Sequence, residues 1–103
     1  MIKHIVMFRI TDLISKEERN SQSQRIASIF EPLSKLESVQ EYRTAINFNT
    51  TGAAWDVIID SSFYNKEDLI QYQKSSEHQE AISRASKINK EKAVIDYEYL
   101  QVK

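Results

Sequence analysis

The sequence predicts an α+β fold in which an antiparallel four-stranded sheet carries helices on one face. Segments of period-two alternation and segments of helical period follow one another in the order strand, helix, strand, strand, helix, strand. The length of 103 residues is that of a single domain, and no interdomain linker interrupts the chain. We therefore expect one domain over residues 1–103.

The first strand carries apolar residues on both of its faces. Alternation places one set on a common face: Ile2, His4, Val6, Phe8 and Ile10. Ile5 and Met7 lie on the opposite face. Such a strand has side chains to bury on both sides, and His4 is a titratable ring among apolar neighbours.

A long amphipathic helix is predicted next. Ser15 and Glu18 have the spacing of a capping box, in which two side chains satisfy backbone N–H groups at the helix start. Apolar residues then recur at helical spacing: Ile26, Ile29, Phe30, Leu33 and Leu36. Pro32 has no N–H to donate to the carbonyl of Ser28, so we expect a kink there or a break into two helical pieces.

Two strands and a turn occupy the middle of the chain. Val39 to Phe48 alternates polar and apolar residues, which is typical of an edge strand exposed on one face. Trp55 to Phe63 is the third strand. Gly52 lies in the polar stretch between them and indicates a turn rather than a phosphate-binding loop.

The second half of the chain predicts a short helix, a further helix and a last strand. Asn65 can cap the short helix, whose inner face carries Leu69 and Tyr72. The further helix runs from about Glu77 to about Ile88, with Ser76 as its expected cap. The last strand covers Lys92 to Val102.

This order of elements forms a doubled βαβ unit, whose right-handed crossovers place both helical segments on one side of the sheet. That is the ferredoxin-like arrangement. The other sheet face would then be bare, although Ile5, Met7 and Ile58 make it apolar. We expect two sheets to pack face to face in a homodimer, since burial stabilises by roughly 25 cal/mol per Å² of apolar surface. The alternative is a monomer with a few exposed apolar residues.

Composition narrows the classes of partner and cofactor. The chain has 14 basic and 15 acidic residues without a basic stripe, so nucleic acid is not an expected partner. It has no cysteine, and Asp56, Asp96 and the histidines match no metal-ligand spacing, so neither a metal nor a cofactor is expected. The apolar run from Ile5 to Phe8 is too short for a membrane span or a signal peptide, which favours a cytoplasmic protein.

Four stretches in order resemble one known family: Ile2–Arg9, Asp56–Leu69, Tyr72–His78 and Val94–Tyr97. Together they are similar to the stress-responsive A/B barrel family, called Dabb, over nearly the whole chain. The resemblance implies a small dimeric α+β barrel in which two subunits join their sheets. The family name reflects stress induction in plants, and many members have no known activity.

The enzymatic relatives in this resemblance are similar to the plant polyketide cyclase that makes olivetolic acid. That enzyme uses a strand histidine together with a helical tyrosine and histidine to promote an aldol closure. The resemblance therefore implies His4, Tyr72 and His78 as candidate catalytic residues. The family often shows Tyr-x-x-His-Pro-x-His, and this chain lacks the first histidine and the proline of that motif.

These residue types suit proton transfer next to a carbonyl group. His78 would lie in the first turn of its helix, where the positive end of the dipole disfavours imidazolium, and its usual pKa of about 6.5 suits a base. Tyr72, with a usual pKa of about 10, could donate a hydrogen bond to a carbonyl or enolate, and His4 could orient the substrate or hold the tyrosine. The structural alternatives are a core tyrosine, a capping or exposed His78 and a buried, hydrogen-bonded His4.

Three functions remain open from the sequence. The first is a homodimer that binds a small apolar or carbonyl-containing molecule between sheet and helices. The second is a cyclase-like lyase that uses acid–base chemistry of Tyr72 and His78. The third is a cofactor-free monooxygenase of the related dimeric barrel type, with Trp55 near an aromatic substrate.

Overall fold

The computed structural model describes residues 1–12 and 14–100 and shows the predicted ferredoxin-like α+β fold. Its elements are β1 (Ile2–Ile10), α1 (Lys16–Phe30), a short 3₁₀ helix (Glu31–Lys35), β2 (Glu41–Ile46), β3 (Val57–Phe63), α2 (Lys66–Lys74), α3 (Ser76–Ala85) and β4 (Lys90–Glu98). None of the helices in these ranges is long and apolar enough to cross a membrane.

The sheet has the order β2-β3-β1-β4, and all neighbouring strands are antiparallel. β2 is an edge strand, as predicted. The two central strands are β1 and β3, and the register places His4 opposite Ser61 on β3 and opposite Asp96 on β4. A histidine near the start of β1 therefore has neighbours from the middle and from the last strand of the chain.

The core lies between the sheet and the helices. Burial alternates strictly along β1, and the buried face is the one that carries His4. Phe8 stacks on Phe30 of α1 with a centroid distance of 5.6 Å, and burying side chains of this size stabilises by about 1.5–3 kcal/mol each. The helices pack on β1, β2 and β3, whereas Val94 and Asp96 on the same side of β4 are exposed.

The helix boundaries follow local chemistry. Ser15 accepts a hydrogen bond from the backbone N–H of Glu18, and the expected break at Pro32 is a change from α-helix to 3₁₀ helix. The predicted cap of α3 was wrong by one residue. Ser75, rather than Ser76, accepts from the N–H of His78, because Ser75 has an extended backbone between the two helices. The same hydroxyl donates to the carbonyl of Tyr72 at the end of α2.

The strand ends differ from the predictions by a few residues. β2 spans Glu41–Ile46 instead of Val39–Phe48, and β3 begins at Val57 instead of Trp55. β4 begins at Lys90, two residues early, because its ladder with β1 extends to the end of that strand. The predicted end of β4 at Val102 lies outside the described residues.

Candidate functional site

The structure brings the three candidate residues into one cluster. Tyr72 is central: its ring centroid lies 6.2 Å from that of His4 and 4.7 Å from that of His78, both in edge-to-face geometry. Side chains alternate between the two faces of β1, and His4 lies on the face toward the helices, as predicted. Tyr72 comes from the last turn of α2 and His78 from the first turn of α3.

A single serine hydroxyl fixes the backbone between Tyr72 and His78. Ser75 Oγ donates to the carbonyl of Tyr72 at 2.7 Å and accepts from the N–H of His78 at 3.1 Å. The first bond satisfies a carbonyl at the end of α2, and the second satisfies an N–H at the start of α3. Ser75 thereby sets the spacing of the two side chains, although this chain lacks the family's histidine and proline here.

The phenol of Tyr72 is buried and has a hydrogen-bond partner. Its hydroxyl lies 3.0 Å from the hydroxyl of Tyr42 on β2, and the whole residue is 2% exposed. Burial raises the pKa of Tyr72, and the hydrogen bond from Tyr42 opposes this in part. Burial also raises the pKa of Tyr42 strongly. Both phenols therefore stay protonated at neutral pH, and one donates to the other.

His4 is held by a carboxylate that the sequence analysis did not assign to the site. His4 Nδ1 hydrogen-bonds to Asp96 Oδ1 on β4, directly across the ladder. When a neutral imidazole donates from Nδ1, Nε2 remains as its acceptor nitrogen. The sequence alone suggests Asp96 only as a possible metal ligand. The sequence does contain a signal for this contact. Asp96 is two residues after Val94, so both lie on the same face of β4, and this is the face that meets His4.

His78 is half-buried, and its pKa is lowered. Burial is the main cause, followed by the positive charges of Lys92 and, when protonated, His4; a hydrogen bond with the backbone of Gln73 opposes the shift. The direction agrees with the expectation from the helix start, but the largest cause is loss of solvent. A neutral imidazole beside a protonated phenol is an acid–base pair in suitable protonation states.

The cluster is closely packed rather than open. His4 is 4% exposed, so it and Tyr72 are almost fully enclosed, whereas His78 and Asp96 reach solvent. The surface around those two is partly apolar. Ile82 lies one helical turn beyond His78, Val94 lies two residues before Asp96, and both are exposed. Any access to Tyr72 from this side therefore passes between α3 and β4.

The other strand carboxylate has a structural environment. Asp56 Oδ2 accepts from the N–H of Ile10 at 2.7 Å and from Arg19 Nη1 at 2.9 Å. It joins the end of β1 to α1, far from Asp96. Within residues 1–12 and 14–100, no group of three or more histidine and acidic side chains is placed to hold a metal ion.

The fold is that of a ferredoxin-like α+β protein, and a histidine–tyrosine cluster lies between its sheet and its helices. The description "stress responsive A/B barrel domain" (Dabb) matches residues 2–99, and the chain belongs to this family. No curated protein matches the sequence.

Solved structures of similar fold cover almost the whole chain. A dimeric ferredoxin-like protein of unknown function from Bacteroides fragilis is 27% identical, with a TM-score of 0.81 and 95% of each chain covered. A Dabb family protein from Mesorhizobium loti is 16% identical, with a TM-score of 0.74 and 97% of each chain covered. A hydroxynitrile lyase from Passiflora edulis is 15% identical, with a TM-score of 0.75, 98% of this chain covered and 94% of that one.

Proposed function

We propose that the chain is a homodimeric lyase of the Dabb family, acting on a small, largely apolar carbonyl compound at the His4–Tyr72–His78 cluster. The observation that carries the proposal is the contact between Tyr72 and His78, whose ring centroids are 4.7 Å apart. Burial favours the protonated phenol and the neutral imidazole in the same place. Proton transfer to and from a substrate needs this pair of protonation states.

In this mechanism His78 accepts a proton from the substrate, either from a carbon next to a carbonyl or from a hydroxyl group. The Tyr72 hydroxyl donates a hydrogen bond to the oxygen on which negative charge develops. To do so it exchanges Tyr42 for the substrate oxygen. His4, oriented by Asp96, lies in edge-to-face geometry with the Tyr72 ring, at a centroid distance of 6.2 Å, and positions it.

Access to Tyr72 requires the site to open. Because Tyr72 is 2% exposed, a substrate can reach its hydroxyl only if neighbouring side chains move, and on the α3 side His78 and Ile82 contact solvent. The exposed apolar surface there suits a hydrophobic molecule with few polar groups. If the bound molecule has no reactive group next to Tyr72 and His78, the protein binds it without turnover.

The experiment uses mandelonitrile, whose cleavage moves the hydroxyl proton to the base, breaks the bond to cyanide and releases benzaldehyde. Release is followed by absorbance for the unmodified protein, Tyr72→Phe and His78→Gln. Each variant is expected to keep its circular dichroism spectrum and lose about 100-fold or more in kcat/KM. Tyr64→Phe, a change at an exposed tyrosine, is the matched control and keeps full activity.

Three outcomes would contradict the lyase proposal. If Tyr72→Phe and His78→Gln both keep the turnover of the unmodified protein, the cluster does not take part in the reaction. Saturable binding of benzaldehyde without cleavage of mandelonitrile would leave a binding protein. Oxygen uptake with an aromatic substrate, measured with an electrode and unchanged in His78→Gln, would favour the monooxygenase instead.

The homodimer is supported by the sheet face that the helices leave bare. That face carries an apolar stripe across the three strands β3, β1 and β4, formed by Ile5, Met7, Ile58, Ala93, Ile95 and Tyr97. Ile95 is 57% exposed in the single chain. Ion pairs between Lys3 and Asp60 and between Arg9 and Glu91 border the stripe. An apolar centre with a charged rim is typical of protein interfaces.

Light scattering after gel filtration tests the dimer. We expect a mass of about 24 kDa, twice the 12.0 kDa of one chain. Ile95→Glu places a charge in the stripe and is expected to give the mass of a monomer, whereas Ile70→Glu, at an exposed isoleucine on α2, leaves the dimer intact. A monomer at all concentrations of the unmodified protein would overturn this part of the proposal.

A further inference from the structure

A concave region lies at the opposite end of β1 from His4. It is a cleft of 980 Å³ between the first turns of α1, the end of β1 and the loop that joins β2 to β3. Volumes of about 300–1,000 Å³ are usual for ligand sites in proteins. The residues that matter here are Ile14, Lys16, Arg19, Ile46 and Phe48.

The loop that forms one wall is held by its own side chains. Asn47 Oδ1 accepts from the N–H of Asn49 at 2.9 Å, and Asn49 Oδ1 accepts from the N–H of Thr51 at 2.9 Å. Asn47 Nδ2 also donates to the carbonyl of Trp55 at 2.7 Å. Side chains that bond to the backbone two residues on stabilise a defined turn. The loop therefore presents Phe48 at the cleft on an ordered backbone.

Phe48 is 97% exposed, so the rest of the chain leaves its ring almost uncovered. It shares the cleft with two aliphatic side chains, Ile46 from the end of β2 and the half-buried Ile14. An exposed aromatic ring next to aliphatic groups offers a surface on which a flat apolar molecule can pack.

The helix wall of the cleft is cationic. Lys16 and Arg19 are three residues apart on α1 and lie on one face. Arg19 Nη1 donates to the carbonyl of Ile10 at 3.0 Å and to Asp56 at 2.9 Å, and its other N–H groups have no partner among residues 1–12 and 14–100. Lys16 has no carboxylate within 4.0 Å among the described residues. Glu17 also lines the cleft, so the excess of positive charge is small.

We propose that this cleft is a second ligand site and that it takes a flat apolar anion such as an aromatic carboxylate. The ring of the ligand packs on Phe48 between Ile14 and Ile46, and its carboxylate binds Lys16 and the free N–H groups of Arg19. The site is separate from the acid–base cluster, because Ile10 lies six residues from His4 along β1, roughly 20 Å. The proposal does not depend on the lyase function.

The test is a titration of the ¹⁵N-labelled full chain with 1-naphthoate, followed by amide chemical shifts, with neutral 1-naphthalenemethanol as the comparison ligand. We expect saturable shifts in the β2–β3 loop and the first turns of α1. Phe48→Ala is expected to weaken naphthoate binding about fivefold or more. Lys16→Gln is expected to weaken naphthoate but not the neutral alcohol. Tyr64→Ala, an exposed aromatic elsewhere, serves as the matched control.

Three results would overturn the proposal. The first is shifts that do not saturate or that spread over the surface, which indicate nonspecific contact only. The second is saturable binding centred on α3 and unaffected by Phe48→Ala, which assigns the ligand to the histidine–tyrosine cluster. The third is a set of loop shifts that depend on protein concentration without ligand, which would show that a second copy covers Phe48.

Discussion

The hydrogen bond between Tyr42 and Tyr72 gives a prediction that can be worked out from the structure. The two hydroxyls are 3.0 Å apart, Tyr72 is 2% exposed and Tyr42 is half-buried. Tyr42→Phe removes the partner of an enclosed hydroxyl, so we expect a loss of about 1–3 kcal/mol in the free energy of unfolding. Tyr72→Phe should cost less, about 1 kcal/mol, because the Tyr42 residue left without its partner is half-buried, whereas Tyr72 is 2% exposed.

The double variant Tyr42→Phe/Tyr72→Phe leaves neither hydroxyl unpaired. It should therefore be little less stable than Tyr42→Phe alone, with a coupling energy of about 1 kcal/mol between the two sites. The assay is urea unfolding followed by circular dichroism at one fixed protein concentration, since dimer formation adds stability. Tyr64→Phe is the control. Losses that add to within about 0.3 kcal/mol would refute the reasoning, because independent sites behave in that way.

The remaining predictions concern charge. Lys92→Gln removes one of the charges that lower the pKa of His78, so the pKa of His78, followed by its ring proton shift, should rise toward 6.5; an unchanged value would assign the whole shift to other causes. His78 binds protons more weakly in the folded state than in the unfolded state, so its contribution to stability is fully present above pH 6.5 and is lost as the pH falls through 6.5 toward the lower folded pKa. Urea midpoints at pH 7.5 and 5.5 should therefore differ less for His78→Gln than for the unmodified protein, and equal differences would contradict the burial of the ring. Asp56→Asn removes the charge that pairs with Arg19 and should lower the free energy of unfolding by about 1–3 kcal/mol, measured by the same urea assay. The control is Asp12→Asn, a change at an acidic residue in the loop between β1 and α1.

The sequence by itself determined the order of the elements and the face on which each side chain lies. Alternation along β1 separates His4 from Ile5 and Met7 because neighbouring residues of a strand point to opposite faces. Ser15 and Pro32 mark the start of α1 and its change to a 3₁₀ helix through local hydrogen bonding and sterics. These are properties of a few adjacent residues, which is why a pattern in the sequence can predict them.

Only the tertiary structure decided which partners complete the cluster. Asp96 bonds to His4 from 92 residues away, and Tyr42 meets Tyr72 from 30 residues away. Both contacts depend on strand register and on how α2 packs over the sheet, and a shift of one residue in register would turn a side chain to the other face. Packing likewise encloses Tyr72, whereas His78, the other helical residue of the cluster, reaches solvent. The identities of the candidate residues follow from sequence, whereas their protonation, access and partners follow from long-range packing.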